Sequence, residues 1–350
     1  MRSFDYSFLE YDMLPAGLIN MVSTITELRA RESQLKENYA DLFLKLESIA
    51  KVQSVKGSNE IEGIITSEQR IHEIVHQNSA PLNHNEEEIA GYRDALALIH
   101  NEYTNLDIRE SDIQNLHKIL LSYTNVSGGV YKTVDNLIME TDSSGRRKVR
   151  FDPVLASEVG EAMEQLTFAY LDARRNYNIN QLIVIPCYIL DFLCIHPFAD
   201  GNGRISRLLT LLLLYKNGFD AGRYISFEEQ INYLKDKYYV ALQESSQGWH
   251  EGKNSYIPFI MHFVTTLLYC YKELDKRFAV VTSKKVSKQQ RVRAVVLGSL
   301  LPISKSEICY ILPDVSMATV ELVLAEMHKT NIIKTVGKGK NTKYVKRWNE

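Results

Sequence analysis

Two strongly apolar helical stretches, Leu182 to His196 and Ile205 to Asn217, are joined by the turn Pro197-Phe-Ala-Asp-Gly-Asn-Gly-Arg204, and this pair limits the fold more than any other part of the chain. The first stretch must stop at His196, because Pro197 lacks the N–H a helix needs and crowds the residue before it. The second carries Ile205, Leu208, Leu209 and Leu211 to Leu214, so it has to be nearly surrounded by protein. Amphipathic spacing elsewhere predicts the surrounding helices: Gly17–Ala50, Glu86–His100, Ser111–Leu121, Ala156–Asn176, Phe227–Gln243 and Tyr256–Phe278. Asn85 is the expected N-cap of the Glu86 helix, and the acidic trio Glu86, Glu87 and Glu88 complements its dipole. The predicted fold class is all-α.

Two segments depart from the helical pattern. Val130 to Met139 and Arg146 to Phe151 read as short strands around the turn Thr141-Asp-Ser-Ser-Gly145, either an edge decoration or a clamp over a site. Beyond a polar linker at Thr282–Lys288, helices are expected at Lys288–Leu300, Ser304–Ile311 and Ser316–Thr330. Strands at Ile332–Val336 and Lys343–Lys346 then flank Gly337-Lys-Gly-Lys-Asn341, a winged helix-turn-helix pattern. The 350 residues therefore divide into an N-terminal helical region (1–105), a core (106–280) and a C-terminal module (286–350).

Composition excludes some classes. Hydrophobic residues at 45% and charged residues at 24% rule out a largely disordered or fibrous chain. The net charge of −2 draws the whole chain neither to nucleic acid nor to membrane. From Lys284 onward, however, 13 Lys/Arg stand against 5 Asp/Glu, leaving −10 on the rest. Cys187, Cys194, Cys270 and Cys309 form no CxxC pair and read as buried hydrophobes of a reducing compartment. No secretory leader is legible, and Leu182–Ile195 is too short to span a bilayer, so a cytoplasmic protein is expected.

The turn carries the chemistry. Gly201-Asn202-Gly203 feeding a helix start aims unpaired N–H groups and the positive dipole end at one spot, which is an anion site. Arg204 and Arg207, three apart, add forked phosphate-binding groups. Asp200 offers the hard oxygen that Mg²⁺ takes when phosphates supply the rest. His196 is a base whose ordinary pKa of about 6.5 suits proton abstraction at neutral pH. Each residue alone has a structural explanation; a bare turn does not need all of them.

This segment resembles the signature of the Fic family, His-Pro-Phe-x-Asp/Glu-Gly-Asn-Gly-Arg-x-x-Arg, with His196, Pro197, Phe198, Asp200, Gly201, Asn202, Gly203, Arg204 and Arg207 all in place. The resemblance implies a Fic-type helical core and transfer of AMP from ATP to a Ser, Thr or Tyr hydroxyl of a target protein or of the enzyme itself. It implies that His196 deprotonates the hydroxyl, Asp200 holds Mg²⁺, and Gly201, Asn202, Gly203, Arg204 and Arg207 bind ATP, with Arg207 at the γ-phosphate. Gly203-Arg204 matches the AMP-transferring pattern and not the variant that supports phosphorylation. By the same resemblance the 130–151 hairpin is the flap that docks the target, with Asn136, Leu137 and Ile138 lining the site. Tyr238 and Tyr239 are similar to an adenine-side pair, with core packing the alternative. Where some relatives place an Asn near the ribose, this chain has Ser246. Ser58-Asn-Glu-Ile-Glu62-Gly63 resembles the family's inhibitory motif, whose glutamate, here Glu62, pairs with Arg207 and in some relatives supports AMP removal. A helix start, with Asn59 as N-cap and Glu62 closing a capping box, explains the same six residues.

Two further classes compete. His72-Glu-Ile-Val-His76 is a literal HExxH, the spacing of a zinc protease, but without a third ligand in sequence. The basic C-terminal module suits a regulator that contacts DNA, or equally protein, through Lys338, Lys340 and Lys343 of the wing, although Glu321 and Glu326 sit on its recognition helix. A homodimer is compatible with the sequence, which names neither the target nor an oligomeric state.

Overall fold

The computed structural model describes residues 2–11, 13–141, 146–176, 179–282, 287–299, 302–312, 314–337 and 342–347, and among them α-helices predominate. The chain divides into two units. One takes the described residues up to 27 together with 50–270; the other takes 28–49 with those from 271 onward. The C-terminal unit thus draws in residues 28–49 and 271–282, beyond the module expected from residue 286.

The first unit is built around the apolar pair. Helix α7 (Gln181–Ile195) buries every residue except Gln181 and Leu193, and α8 (Asn202–Lys216) every residue except Gly203 and Lys216. Around them lie α3 (Glu68–Gln77), α4 (His84–Glu102), α5 (Glu110–Leu120), α6 (Val159–Arg175), α9 (Phe227–Tyr233) and α10 (Lys235–Ser246). Helix α8 packs on α4, α5 and α7, and α7 packs on α6 and α10. Contact between α4 and α5 is backbone to backbone. A Cβ at Gly91 would lie 1.9 Å from the Leu120 carbonyl oxygen, so only glycine fits.

Several expected boundaries move. The stretch from Gly17 to Ala50 is two helices, α1 (Ala16–Asn38) and α2 (Ala40–Ile61), broken at Tyr39. Phe227–Gln243 is likewise split, at Leu234. The cap of α4 is Asn83, whose side chain accepts from the Glu86 N–H at 3.1 Å; Asn85 instead donates to the Ile65 carbonyl at 3.0 Å. The first hairpin strand, β1 (Ile138–Thr141), starts only at Ile138 and pairs antiparallel with β2 (Arg147–Phe151). Its earlier part is held differently: the Lys132 N–H bonds the Pro197 carbonyl at 2.8 Å, which ties this stretch to the turn after α7 rather than to a strand. The expected hairpin tip, 142–145, lies outside the described residues.

The six-residue motif at 58–63 is a helix end, not a helix start. The Asn59 carbonyl accepts from the Glu62 and Ile64 N–H groups at 3.0 Å each, and Gly63 follows at φ +79°. That left-handed glycine is what terminates α2, so Asn59 is not an N-cap and no capping box forms.

In the second unit, α12 (Lys288–Gly298), α13 (Lys305–Ile311) and α14 (Met317–Lys329) are followed by an antiparallel hairpin, β3 (Ile333–Val336) with β4 (Lys343–Lys346). Val292, Val296, Ile308, Leu324 and Met327 make its core, and Tyr39 and Leu42 pack against that core, which is why the 28–49 stretch belongs here. Ser287 and Ser304 each close a full capping box. Leu300 and the wing tip at 338–341 fall outside the described residues. Helix α11 (Ile257–Thr282) is the longest, and among the described residues no helix is long and apolar enough to cross a membrane.

Candidate active site

The site begins where α7 stops. His196 takes the left-handed conformation (φ +51°), uncommon for a residue with a Cβ, and its N–H bonds the Phe192 carbonyl at 2.9 Å. Its Nδ1 faces the Leu193 carbonyl at 3.3 Å. A carbonyl only accepts, so Nδ1 carries the proton and Nε2 keeps a free lone pair. Burial pushes the imidazole pKa down to about 4, with the Lys132 and Arg150 charges adding to that effect and the Leu193 carbonyl and Glu62 opposing it. At neutral pH the ring is an uncharged base.

The turn after His196 is locked by Asn202. Its Oδ1 accepts from the Phe198 N–H at 2.9 Å and its Nδ2 donates to the Phe198 carbonyl at 2.8 Å. The Asn202 side chain is therefore used to shape the loop, and what Asn202 offers a ligand is its backbone N–H. Gly201, at φ +78°, turns the chain into α8, whose first intrahelical bond is Ile205 N–H to the Gly201 carbonyl at 2.9 Å. The N–H groups of Asn202, Gly203 and Arg204 have no intrahelical acceptor, the anion nest the sequence predicts.

Behind the turn stands His117 of α5, which sequence reasoning missed. Its Nδ1 accepts from the Gly129 N–H at 2.9 Å and its Nε2 donates to the Asp200 carbonyl at 3.0 Å, while the ring stacks on Phe198 with centroids 3.7 Å apart. Burial lowers its pKa to about 4. A neutral histidine thus braces the turn against the start of the 130s segment. The buried Lys132, also missed, donates through Nζ to Asn136 Oδ1 at 2.9 Å. Asn136 and Ile138 are half-buried, and Leu137 is exposed.

The two arginines separate. Arg204 is buried and its guanidinium pairs with Glu88 of α4 and, at 3.2 Å, with Asp200 Oδ2. It joins the turn to α4 rather than standing free for a phosphate. Two of the three glutamates at the start of α4 are buried in ion pairs: Glu88 on Arg204, and Glu86 on Arg70 at 2.8 Å. Arg207 turns the other way, to the end of α2. Its Nε donates to Ser58 Oγ at 2.8 Å, and its Nη2 to the Ser58 carbonyl at 3.0 Å and Glu62 Oε1 at 2.8 Å. The same Glu62 oxygen would lie 2.3 Å from a Cβ placed on Gly203. The carboxylate therefore rests directly on the first turn of α8.

Helix α10 closes this side. Tyr238 is buried among Tyr239, Phe259 and His262, as core packing would have it. Tyr239 is half-buried; its hydroxyl donates to the Ile61 carbonyl at 3.4 Å, and the Arg150 guanidinium sits 5.3 Å over its ring. Ser246, the last residue of α10, bonds its hydroxyl to the Gln243 carbonyl at 3.2 Å. His72 and His76 do share one face of α3, with rings 5.8 Å apart, but Glu73 between them is engaged by Gln69 and Arg70. Among the described residues no group of three or more His, Cys, Asp or Glu is arranged to hold a metal.

Residues 106–214 match the Fic/DOC family. A Fido domain-containing protein of Dictyostelium discoideum is 28% identical over 130 residues, 37% of this chain and 80% of that protein. The fold is similar to that of a Fic family protein from Desulfovibrio desulfuricans, with a TM-score of 0.62 at 20% identity, covering 97% of this chain and 98% of that one. It is also similar to Fic-1 (residues 134–508) from C. elegans, with a TM-score of 0.56 at 18% identity, covering 76% and 74%. The histidine, the glycine turn and the two arginines thus all lie within the stretch, residues 106–214, that matches the Fic/DOC family.

Proposed function

We propose that the chain is an ATP- and Mg²⁺-dependent protein adenylyltransferase that Glu62 holds in check. The observation that carries this reading is the seat of the Glu62 carboxylate, 2.8 Å from Arg207 and against Gly203, where an anionic phosphate would otherwise sit. One guanidinium fork cannot serve Glu62 and a γ-phosphate together, so inhibition follows from competition for Arg207.

In the reaction, His196 Nε2 takes the proton of a target hydroxyl as its oxygen bonds to the α-phosphorus. The bond from that phosphorus to the β-phosphate oxygen breaks, and pyrophosphate leaves with its electron pair. The nest N–H groups hold the phosphates in place, which is where most of the catalysis arises. Asp200 suits a magnesium ion: its side chain is 62% exposed, and among the described residues only one of its carboxylate oxygens is engaged, by Arg204. A bound Mg²⁺ would neutralise phosphate charge there. For the C-terminal unit, a winged helix that contacts protein is favoured over one that reads bases, because the exposed face of α14 carries Glu321, Leu322 and Glu326.

The test uses ATP labelled at either end. Label from the α-phosphate should enter protein in Glu62→Gly far more than in the parent, label from the γ-phosphate should not, and His196→Ala should abolish incorporation while still binding ATP. Transfer of the γ label would make the enzyme a kinase, and an unchanged rate in Glu62→Gly would remove the autoinhibition.

A further inference from the structure

The hairpin contains an irregularity that aims one side chain. Ile138 pairs with Phe151 and Met139 pairs with Val149, so Arg150 is the extra residue of a β-bulge. Bulges re-aim side chains and are common beside active sites. Here the guanidinium of Arg150 is carried over the Tyr239 ring, at 5.3 Å, on the side of the cleft where its charge also acts on His196, Tyr238 and Tyr239. The residue is half-buried, and among the described residues it has no carboxylate partner.

That last point sets Arg150 apart from both motif arginines. Arg204 is neutralised by Glu88 and Asp200, and Arg207 by Glu62. Lys132, another cation whose charge acts on His196, donates to Asn136. Among the described residues, Arg150 is therefore a forked cation without a carboxylate partner that a nucleotide entering the resting site would meet.

We propose that Arg150 is a further nucleotide-binding residue, holding the α-phosphate of the bound nucleotide from the hairpin. The assignment rests on the nucleotide-transfer reading above. The hydroxyl whose proton goes to His196 must attack the α-phosphorus, so that phosphate lies next to the imidazole, within the field of the same guanidinium. A planar fork suits its two non-bridging oxygens. The contact with Tyr239 keeps the cation half-desolvated until the anion arrives.

The test separates phosphate binding from stacking by comparing AMP with adenosine, which differ only in the α-phosphate, by calorimetry on the full chain. The parent should bind AMP at least about tenfold more tightly than adenosine, the effect of one charge-assisted contact. Arg150→Met should erase most of that preference while leaving adenosine affinity within about twofold, and Arg150→Lys should keep part of it. If Arg150→Met retains the full AMP preference, or if it weakens adenosine as much as AMP, Arg150 is only a cover for Tyr239 and the proposal fails. A parent that binds adenosine and AMP equally also overturns it, with the nucleotide site intact. A parent that binds neither removes the nucleotide reading beneath it.

Discussion

Helix α2 presents Glu62 to Arg207 only because a glycine lets it come close. A Cβ on Gly57 would lie 3.0 Å from both the Cα and the backbone nitrogen of Glu229, and 3.1 Å from the Glu228 carbonyl carbon. All three are backbone atoms, at the start of α9, and cannot rotate aside. Ordinary contact begins at 3.4 Å, so Gly57→Ala should push this part of α2 away by about 0.4 Å. The Ser54 hydroxyl, which donates to Glu228 Oε2 at 2.8 Å, loosens in the same movement. A charge-assisted bond contributes about 1.5–3 kcal/mol. The lower end applies to Glu62, whose side chain is 34% exposed and partly screened. Losing about half of that, roughly 0.75 kcal/mol, corresponds to an approximately three- to fourfold faster AMP transfer. The assay is initial rate beside Glu62→Gly and the double variant. The gain should vanish in the Glu62→Gly background, because there is no longer a carboxylate to displace. Alanine is the better helix former by about 1 kcal/mol. A higher melting temperature with an unchanged rate would therefore mean that the seam at Gly57 has slack, and would refute the reasoning.

Two expectations concern protons. His117 has a folded pKa of about 4 against about 6.5 when unfolded, so between those values the unfolded chain binds the extra proton and stability falls as pH is lowered. His117→Gln, which can still donate to Asp200 and accept from Gly129, should flatten the stability profile from pH 6.5 to 4 by up to about 1.4 kcal/mol per pH unit; parallel curves from chemical denaturation would contradict it. His196 is held at about 4 as well, so the acid limb of kcat/KM for AMP transfer should lie near pH 4 and not near 6.5, provided the chain is still folded there. An acid limb at 6.5 would show that the resting geometry of His196 is not the catalytic one.

Legibility followed locality. The turn at 196–207 could be read because its parts are neighbours in sequence: Pro197 ends a helix, Gly201 supplies the left-handed corner, and the following N–H groups have no partner. The helix breaks at Tyr39 and Leu234 left no Pro or Gly to announce them. The 58–63 segment was ambiguous for a physical reason. Asn followed three residues later by Glu satisfies the capping pattern, and only the positive φ of Gly63 shows that the helix is ending. Glu88, His117 and Lys132 were invisible as site residues because each meets the turn or its helix through tertiary approach. For Arg204 the sequence could count the charge but could not show that Glu88, from another helix, had already neutralised it.

Asp191 lies five residues before His196 on α7, fully buried, and the groups that satisfy it come from far along the chain. It accepts from the Tyr6 hydroxyl at 2.7 Å, from Trp249 Nε1 at 2.7 Å and from the Tyr256 hydroxyl at 2.8 Å, while Arg2 bonds the same Tyr256 hydroxyl at 2.6 Å. During synthesis, Arg2 and Tyr6 leave the ribosome long before these partners exist. At about 5–20 residues per second, the wait for residue 256 is on the order of 10–50 s. Until then Asp191, on the helix that ends at His196, has Tyr6 alone as a donor and lacks those of Trp249 and Tyr256. The loop that follows His196 therefore cannot settle before the chain as far as Tyr256 has emerged.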